Sequence, residues 1–443
     1  MLFSLLADAH ARFQEGTSRL LQRLWLAGCF PRRAARPPSE QAYRRACSKV
    51  PVALVEKALE QSHLQSRSDT DRRYEGLRVL LIDGTKFIVR RNEATIGAYG
   101  LGSGSTGDVH YPQVHVGAFL DLVAGTFADA NFEHGRTPER QMLLDHTAGN
   151  SEPTLYVADA GYNGMAFVYL FRQTGQELLM ELKMGKLAED FRKGRKRSAV
   201  ITVKLTSEHF RNYPQHKHLA GEDMQVRLIR TRGTSKLRSR VLIATLLDED
   251  RFRWLDLAKL YLQRWTIELA LRHLKSSLRA EHIRKQSPHR IQQLLLAAFI
   301  LFNLSAIVRN RIKQPDLFPR KRGVRLPCFE FVPELADLFI LAAVCPQQGQ
   351  KREMKRRLKA IRSCCFIYDP WRTRPKICQF PSSAFTLRKS TEKAAEFARC
   401  EAIKKDMRLL GMKYGQIDQM PYVSRHSGWP RAPPGRLVSP DPT

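Results

Sequence analysis

The chain has 443 residues, 43% hydrophobic and 26% charged, which is enough for two or three domains and a sizeable core. Seventy-four Lys and Arg stand against 43 Asp and Glu, a formal charge of +31. A field of that sign attracts polyanions, and phosphate contact is its usual use. An anionic membrane surface is set aside, because no amphipathic basic helix or lipidation motif accompanies the charge.

The opening MLFSLLADAHARF carries an acid and no basic segment, so it does not read as a signal peptide, and a cytoplasmic protein is expected. Residues 1–75 read as a helical N-terminal region, broken at Pro31 to Glu40. The stretch Ser39 to Ser62, basic near Tyr43, Arg44 and Arg45, suits either a DNA-contacting module or a helical cover on the main domain. The eight cysteines include no CxxC pair and no zinc-ligand spacing, so reduced thiols are expected.

The period then changes. Arg78 to Asp83 (RVLLID) is a β-like run ending in an acid, and Val114 to Val123 with Gly125 to Asp129 reads as a hairpin. Thr137 and Pro138 suit an N-cap and first helical residue. Leu155 to Asp159 (LYVAD) is a second buried-looking strand ending in an acid. Gln176 to Met184, Ala199 to Leu205, Met224 to Thr231 and Val241 to Leu247 have strand character, broken by basic loops. One long helix is predicted from about Trp254 to Ala280, then an apolar helix, Leu294 to Val308. That run contains Asn303 and is short for a bilayer, so it reads as buried. This order predicts an α/β fold, a mixed sheet flanked by helices. The tail from Arg425 is rich in Pro and Gly and reads as disordered.

Asp83 and Asp159 each close an apolar run, where α/β sheets bind ligands. Taken singly, each is also a plain turn residue. The helix adds more. Tyr261, Arg264, Glu268 and Lys275 lie at offsets of 3, 7 and 14 from the tyrosine. At about 100° per residue these fall at roughly 300°, 340° and 320°, one face about 60° wide. Beside it runs an apolar stripe of Leu260, Ile267, Leu271, Leu274 and Leu278. A solvated charged face is the plain alternative. Basic clusters at Arg192 to Arg197, Arg227 to Arg240 and Lys351 to Arg362 read as phosphate-tracking loops and a basic helix, or as solvated faces. Tyr162 and Trp265 are candidates for base stacking, with packing favoured for Trp265; His110 and His115 read as ordinary polar residues.

The spacing Y-x2-R-x3-E-x6-K resembles the YREK signature of the insertion-sequence-four family of transposases. Asp83-Gly84-Thr85 and Asp159-Ala160-Gly161-Tyr162 resemble its first two acidic motifs. Asn131 to Gly135, with Glu139 beyond, is also similar, and the resemblance runs from about Leu77 to Leu304. Ala160 departs from it, since relatives commonly carry a larger, often basic residue there. The resemblance implies a ribonuclease H-like catalytic domain over 76–310, with a β-rich insertion at about 176–247. Outside it lie a basic region at 311–424, suited to DNA or dimer contacts, and the tail 425–443. It implies catalysis and metal binding by Asp83, Asp159 and Glu268, with two divalent ions, Mg or Mn in its place. Tyr261, Arg264 and Lys275 would grip DNA. The implied activity is cleavage at element ends and strand transfer into target DNA, by a dimer on terminal inverted repeats. A metal-dependent nuclease without strand transfer and an inactive DNA-binding remnant are the alternatives.

Overall fold

The computed structural model describes residues 37, 39–67, 73–104, 107–182, 185–231, 239–276, 287–311, 323–325, 356 and 366–368. The chain divides into two compact units, residues 1–152 with 270–313 and 326–365, and residues 153–269 with 314–325 and 366–443. The calls on 1–36, on Lys351 to Arg362 as a basic helix (Arg356 apart) and on the tail from 425 lie outside the described residues, as do all cysteine side chains.

The first unit begins with α1 (Glu40–Ser48) and α2 (Val52–Arg67), parted at Pro51, which cannot continue a helical hydrogen-bond ladder. Val55, Leu59, Ser62, His63 and Ser66 are buried along α2. That buried face fits the reading of this segment as a helical cover. Next come β1 (Arg78–Ile88), α3 (Glu93–Tyr99), β2 (Leu101–Gly104), β3 (Gly107–Asp121), β4 (Thr126–His134) and α4 (Glu139–Ala148). β3 pairs antiparallel with β1, β2 and β4, and Gly125 at φ 66° turns β3 into β4. Two expectations shift here. β1 does not stop at Asp83 but runs five residues further, because β3 continues to pair with it as far as Ile88. The helix after Thr137 begins a residue later than expected, with Pro138 at the cap and no side-chain capping bond.

The apolar helix α9 (Pro288–Arg311) packs on α2 and β4. Its Asn303 is fully buried and fully used: Oδ1 accepts from Phe127 N at 2.7 Å, and Nδ2 donates to Phe127 O and Ser62 Oγ at 2.8 and 2.9 Å. Phe127 meets Phe299 edge-on and Phe302 at a tilt. The helix is long and apolar enough to cross a membrane, yet most of it is buried inside the protein. It is a core helix.

Around α2 lies a charged network. Glu152 is held by Arg67, Arg73 and Arg78; burial pushes its carboxyl up, but the arginines outweigh that and hold it low. His63 Nδ1 meets Thr126 Oγ1 at 3.0 Å, while Arg78 approaches its Nε2 at 2.6 Å and Asp121 lies 3.8 Å away. Burial first, and then Arg78, lower its pKa to about 4.

The second unit starts with β5 (Thr154–Ala158), a short 3-10 turn at Ala160–Tyr162, α5 (Met165–Arg172) and β6 (Glu177–Glu181). Every residue of β5 is buried, as an apolar strand in a parallel pair must be. α5 carries the crossover that makes β6 parallel to β5. Then follow α6 (Lys186–Lys193), β7 (Ser198–Lys204), β8 (Asp223–Arg230) and β9 (Val241–Ala244), in spatial order β5-β6-β9-β8-β7. The pairs from β6 outward are antiparallel, so the sheet is mixed, and its outer strands come from the segment read as β-rich. The fold is α/β: an antiparallel meander, then a parallel β–α–β pair, a succession consistent with a ribonuclease H-like core. The strands β10 (Gly323–Arg325) and β11 (Phe366–Tyr368) pair with each other.

The predicted single long helix is two helices, α7 (Trp254–Leu262) and α8 (Trp265–Ser276). Between them the amides of Gln263 and Arg264 bond to Leu260 O and Tyr261 O, three residues back rather than four. That tightening ends α7, so the uniform step of about 100° per residue does not run unbroken from Tyr261 to Glu268.

Candidate active site

Asp83 sits in the middle of β1, opposite Ala118 of β3, and its Oδ1 accepts the Gly84 amide at 2.9 Å. On the other face of the same strand the Glu139 carboxylate lies against Gly84, where a Cβ would collide with it. Glu139 is met in turn by His115 Nε2 at 3.4 Å, whose Nδ1 faces Thr137 O at 2.8 Å. His115 is thus a buried joint between β3 and α4, in keeping with its reading as an ordinary polar residue. Gly84 leaves the room that Glu139 occupies.

Asp159 follows β5 directly, and its Oδ1 caps the next turn by accepting Gly161 N at 2.6 Å. Tyr162 is buried and packs against Phe167. Glu268 lies one turn into α8 and pairs with Arg264 at 2.7 Å. Asp83, Asp159 and Glu268 are each half-exposed, and each is held by a short-range contact. Among the described residues, no group of three or more His, Cys, Asp or Glu side chains is gathered as a metal site.

The basic residues part company with their shared reading. Arg264 is 6% exposed, with its guanidinium also 5.2 Å from the Trp265 ring centroid. Lys275 is half-exposed; its Nζ donates to Lys86 O at 3.0 Å and stands 5.1 Å from the Phe87 ring centroid, on the strand that carries Asp83. Tyr261 is 2% exposed, and its hydroxyl donates to Glu181 Oε2 at 3.1 Å. Burial first, and then the Glu181 carboxylate, push its ionisation far above the usual tyrosine range, so it stays a neutral donor. In this structure the tyrosine hydroxyl is turned to Glu181. Arg227, read as part of a phosphate-tracking loop, is 1% exposed and bonds to Ser198 Oγ and Phe252 O, with Glu249 at 3.2 Å. In contrast, Lys193, Arg195, Lys196 and Arg197 are exposed. Glu181 was not singled out by its sequence; a lone acid ending a strand carries little signal without its partners.

The profile of the transposase DDE domain family matches residues 74–304, just over half of the chain and a span that takes in all three acids. The chain belongs to the transposase DDE domain family. One relative is the transposase InsG for insertion sequence element IS4 of Escherichia coli (strain K12), 24% identical over 236 residues, 52% of this chain and 51% of that protein. The match therefore spans about half the length of that relative. A cryo-EM structure of the piggyBac transposase synaptic complex with hairpin DNA aligns over 64% of this chain and 57% of that one. Its identity is 10% and its TM-score 0.37.

Proposed function

We propose that this chain is a DNA transposase that cleaves strands at the ends of an insertion sequence and transfers them into target DNA. The observation that carries the reading is the family match, which contains Asp83, Asp159, Glu268 and the basic residues around them. The charge of +31 supports a polyanionic substrate. A dimer bridging two terminal inverted repeats, working in the cytoplasm, belongs to the same proposal.

Asp83, Asp159 and Glu268 are the proposed catalytic and metal-holding residues. Their chemistry suits hard divalent cations such as Mg, which take carboxylate oxygen in preference to imidazole or thiolate. Two carboxylates 4 Å apart repel by about 4 kcal/mol at an effective dielectric of 20, so three of them gather only around cations. Bound there, two such ions, Mg or Mn in its place, would activate a water or 3′-hydroxyl and stabilise the leaving oxygen. The rest falls to the chain. The amides of Gly84 and Gly161 hold Asp83 and Asp159 in fixed orientations, and Arg264 does the same for Glu268. Lys275 keeps an ammonium beside the Asp83 strand, where a phosphate would neutralise it.

Glu268→Gln tests the assignment by keeping the side chain's size while removing its charge. On a plasmid carrying the DNA that flanks the coding region, in MgCl2, cleavage should fall by more than about 100-fold, beyond what loss of an outer partner costs. DNA affinity should stay within about two-fold, which is under 0.5 kcal/mol. Cutting at the wild-type rate would remove Glu268 from the site. Cleavage without element DNA joined to target would favour a nuclease.

A further inference from the structure

Glu181 ends β6, and the parallel register Val157↔Leu179 and Ala158↔Met180 makes its next step Asp159 beside Glu181. The two acids therefore stand at neighbouring carboxyl ends of parallel strands. The Glu181 carboxylate has two donors on one oxygen: Tyr261 Oη and Arg240 Nη1, each 3.1 Å from Oε2. Arg240 immediately precedes β9, the next strand along. Tyr261 sits in the last turn of α7, and its own carbonyl accepts Arg264 N at 3.0 Å in the tight junction that starts α8. One carboxylate thus joins three pieces of the second unit: the strand end next to Asp159, the approach to β9, and the junction from which Arg264 and Glu268 project.

We infer that Glu181 is a positioning residue for the proposed reaction, its carboxylate fixing through Tyr261 where the Glu268 helix starts relative to the Asp159 strand. The inference rests on the transposase reading above. It also gives the tyrosine of the signature a different task. The phenol is buried and its single proton goes to Glu181, so it acts on the helix junction. A charge-assisted hydrogen bond from a buried phenol is directional, which suits it to set the phase of a helix broken two residues later.

The test uses the full chain with Tyr261→Phe, Glu181→Gln and the double variant, all close to the original shapes. The probe is linear duplex DNA carrying the sequence that flanks the coding region. Three quantities are read: single-turnover cleavage in MgCl2 at saturating protein, DNA affinity with its salt slope, and amide hydrogen exchange over residues 261–268. Each single variant should slow cleavage by about 10-fold, the lower end for an outer partner, and the double by about the same, since both break one link. Affinity and salt slope should match the wild type, and exchange should quicken in all three variants. The inference is overturned if Tyr261→Phe weakens binding or flattens the salt slope while Glu181→Gln does not, because that is a phosphate contact. It is overturned equally if the two losses multiply, or if exchange is unchanged. A wild-type chain that cuts no DNA counts against the transposase reading, and the exchange data then decide the positioning role by themselves.

Discussion

Two stretches of this chain read alike in the sequence and fold differently. Pro288–Arg311 and Trp254–Ser276 each look like one continuous helix, and only the first is. α9 is largely apolar, and one of its buried polar residues, Asn303, finds its partners on neighbouring elements. In the second stretch Tyr261, Gln263 and Arg264 fall within one turn, and Tyr261 and Arg264 take side-chain partners, Glu181 and Glu268. The ladder tightens there and the phase is lost. Hydrophobic period reports which residues face the core, but it carries a face across several turns only where nothing interrupts the hydrogen-bond ladder.

The contrast can be broken most forcefully in α9. Asn303→Leu keeps the helix apolar but takes the side-chain partner from the Phe127 amide and carbonyl, while the Ser62 hydroxyl keeps its bond to Leu59 O; with each orphaned buried group costing about 1–3 kcal/mol, urea unfolding should register a loss of about 3 kcal/mol. A neutral result would mean that packing, and not the polar link to β4, fixes this helix.

The α2 side of the same core should respond to pH. His63 has a folded pKa of about 4 against an ordinary 6.5, so the unfolded chain binds the extra proton between those values. Its contribution is present above pH 6.5 and is lost as pH falls towards 4. The groups facing it are Arg78, Arg67, Asp121, Glu152 and Thr126. Between pH 7 and pH 5 the loss should be about 2 kcal/mol, and His63→Gln should flatten that slope. If the variant keeps the full slope, other groups carry it.

The smallest effect belongs to the broken helix. Lys275→Ala removes the ammonium beside the Asp83 strand and should lower the salt slope of DNA binding by about 0.9, the value of one phosphate contact. An unchanged slope would leave Lys275 as a structural link to Lys86 O.

Much of this was legible beforehand. The acids' strands, the hairpin at Gly125, the strands at 177–181, 198–204, 223–230 and 241–244, and the buried nature of 294–308 all follow from local pattern and turn chemistry. The family resemblance follows from the YREK spacing together with the two acidic motifs and the run from Asn131 to Gly135. What escaped were facts set by partners distant in the chain. Arg227 belongs to a basic cluster in sequence and to the interior in space, because Glu249 and the Phe252 carbonyl are waiting there. Asp83 appeared to close its strand, and β3 extends the pairing past it.

By itself, then, the sequence determined the element types and the apolar faces, since each depends on neighbours within a few positions, and it nominated six candidate residues. Only the tertiary structure decided that Tyr261 turns inward to Glu181 while Lys275 stays at the surface beside Lys86. Helical spacing fixes an angle about a local axis, whereas burial and hydrogen bonding are settled by whatever the rest of the chain brings against it.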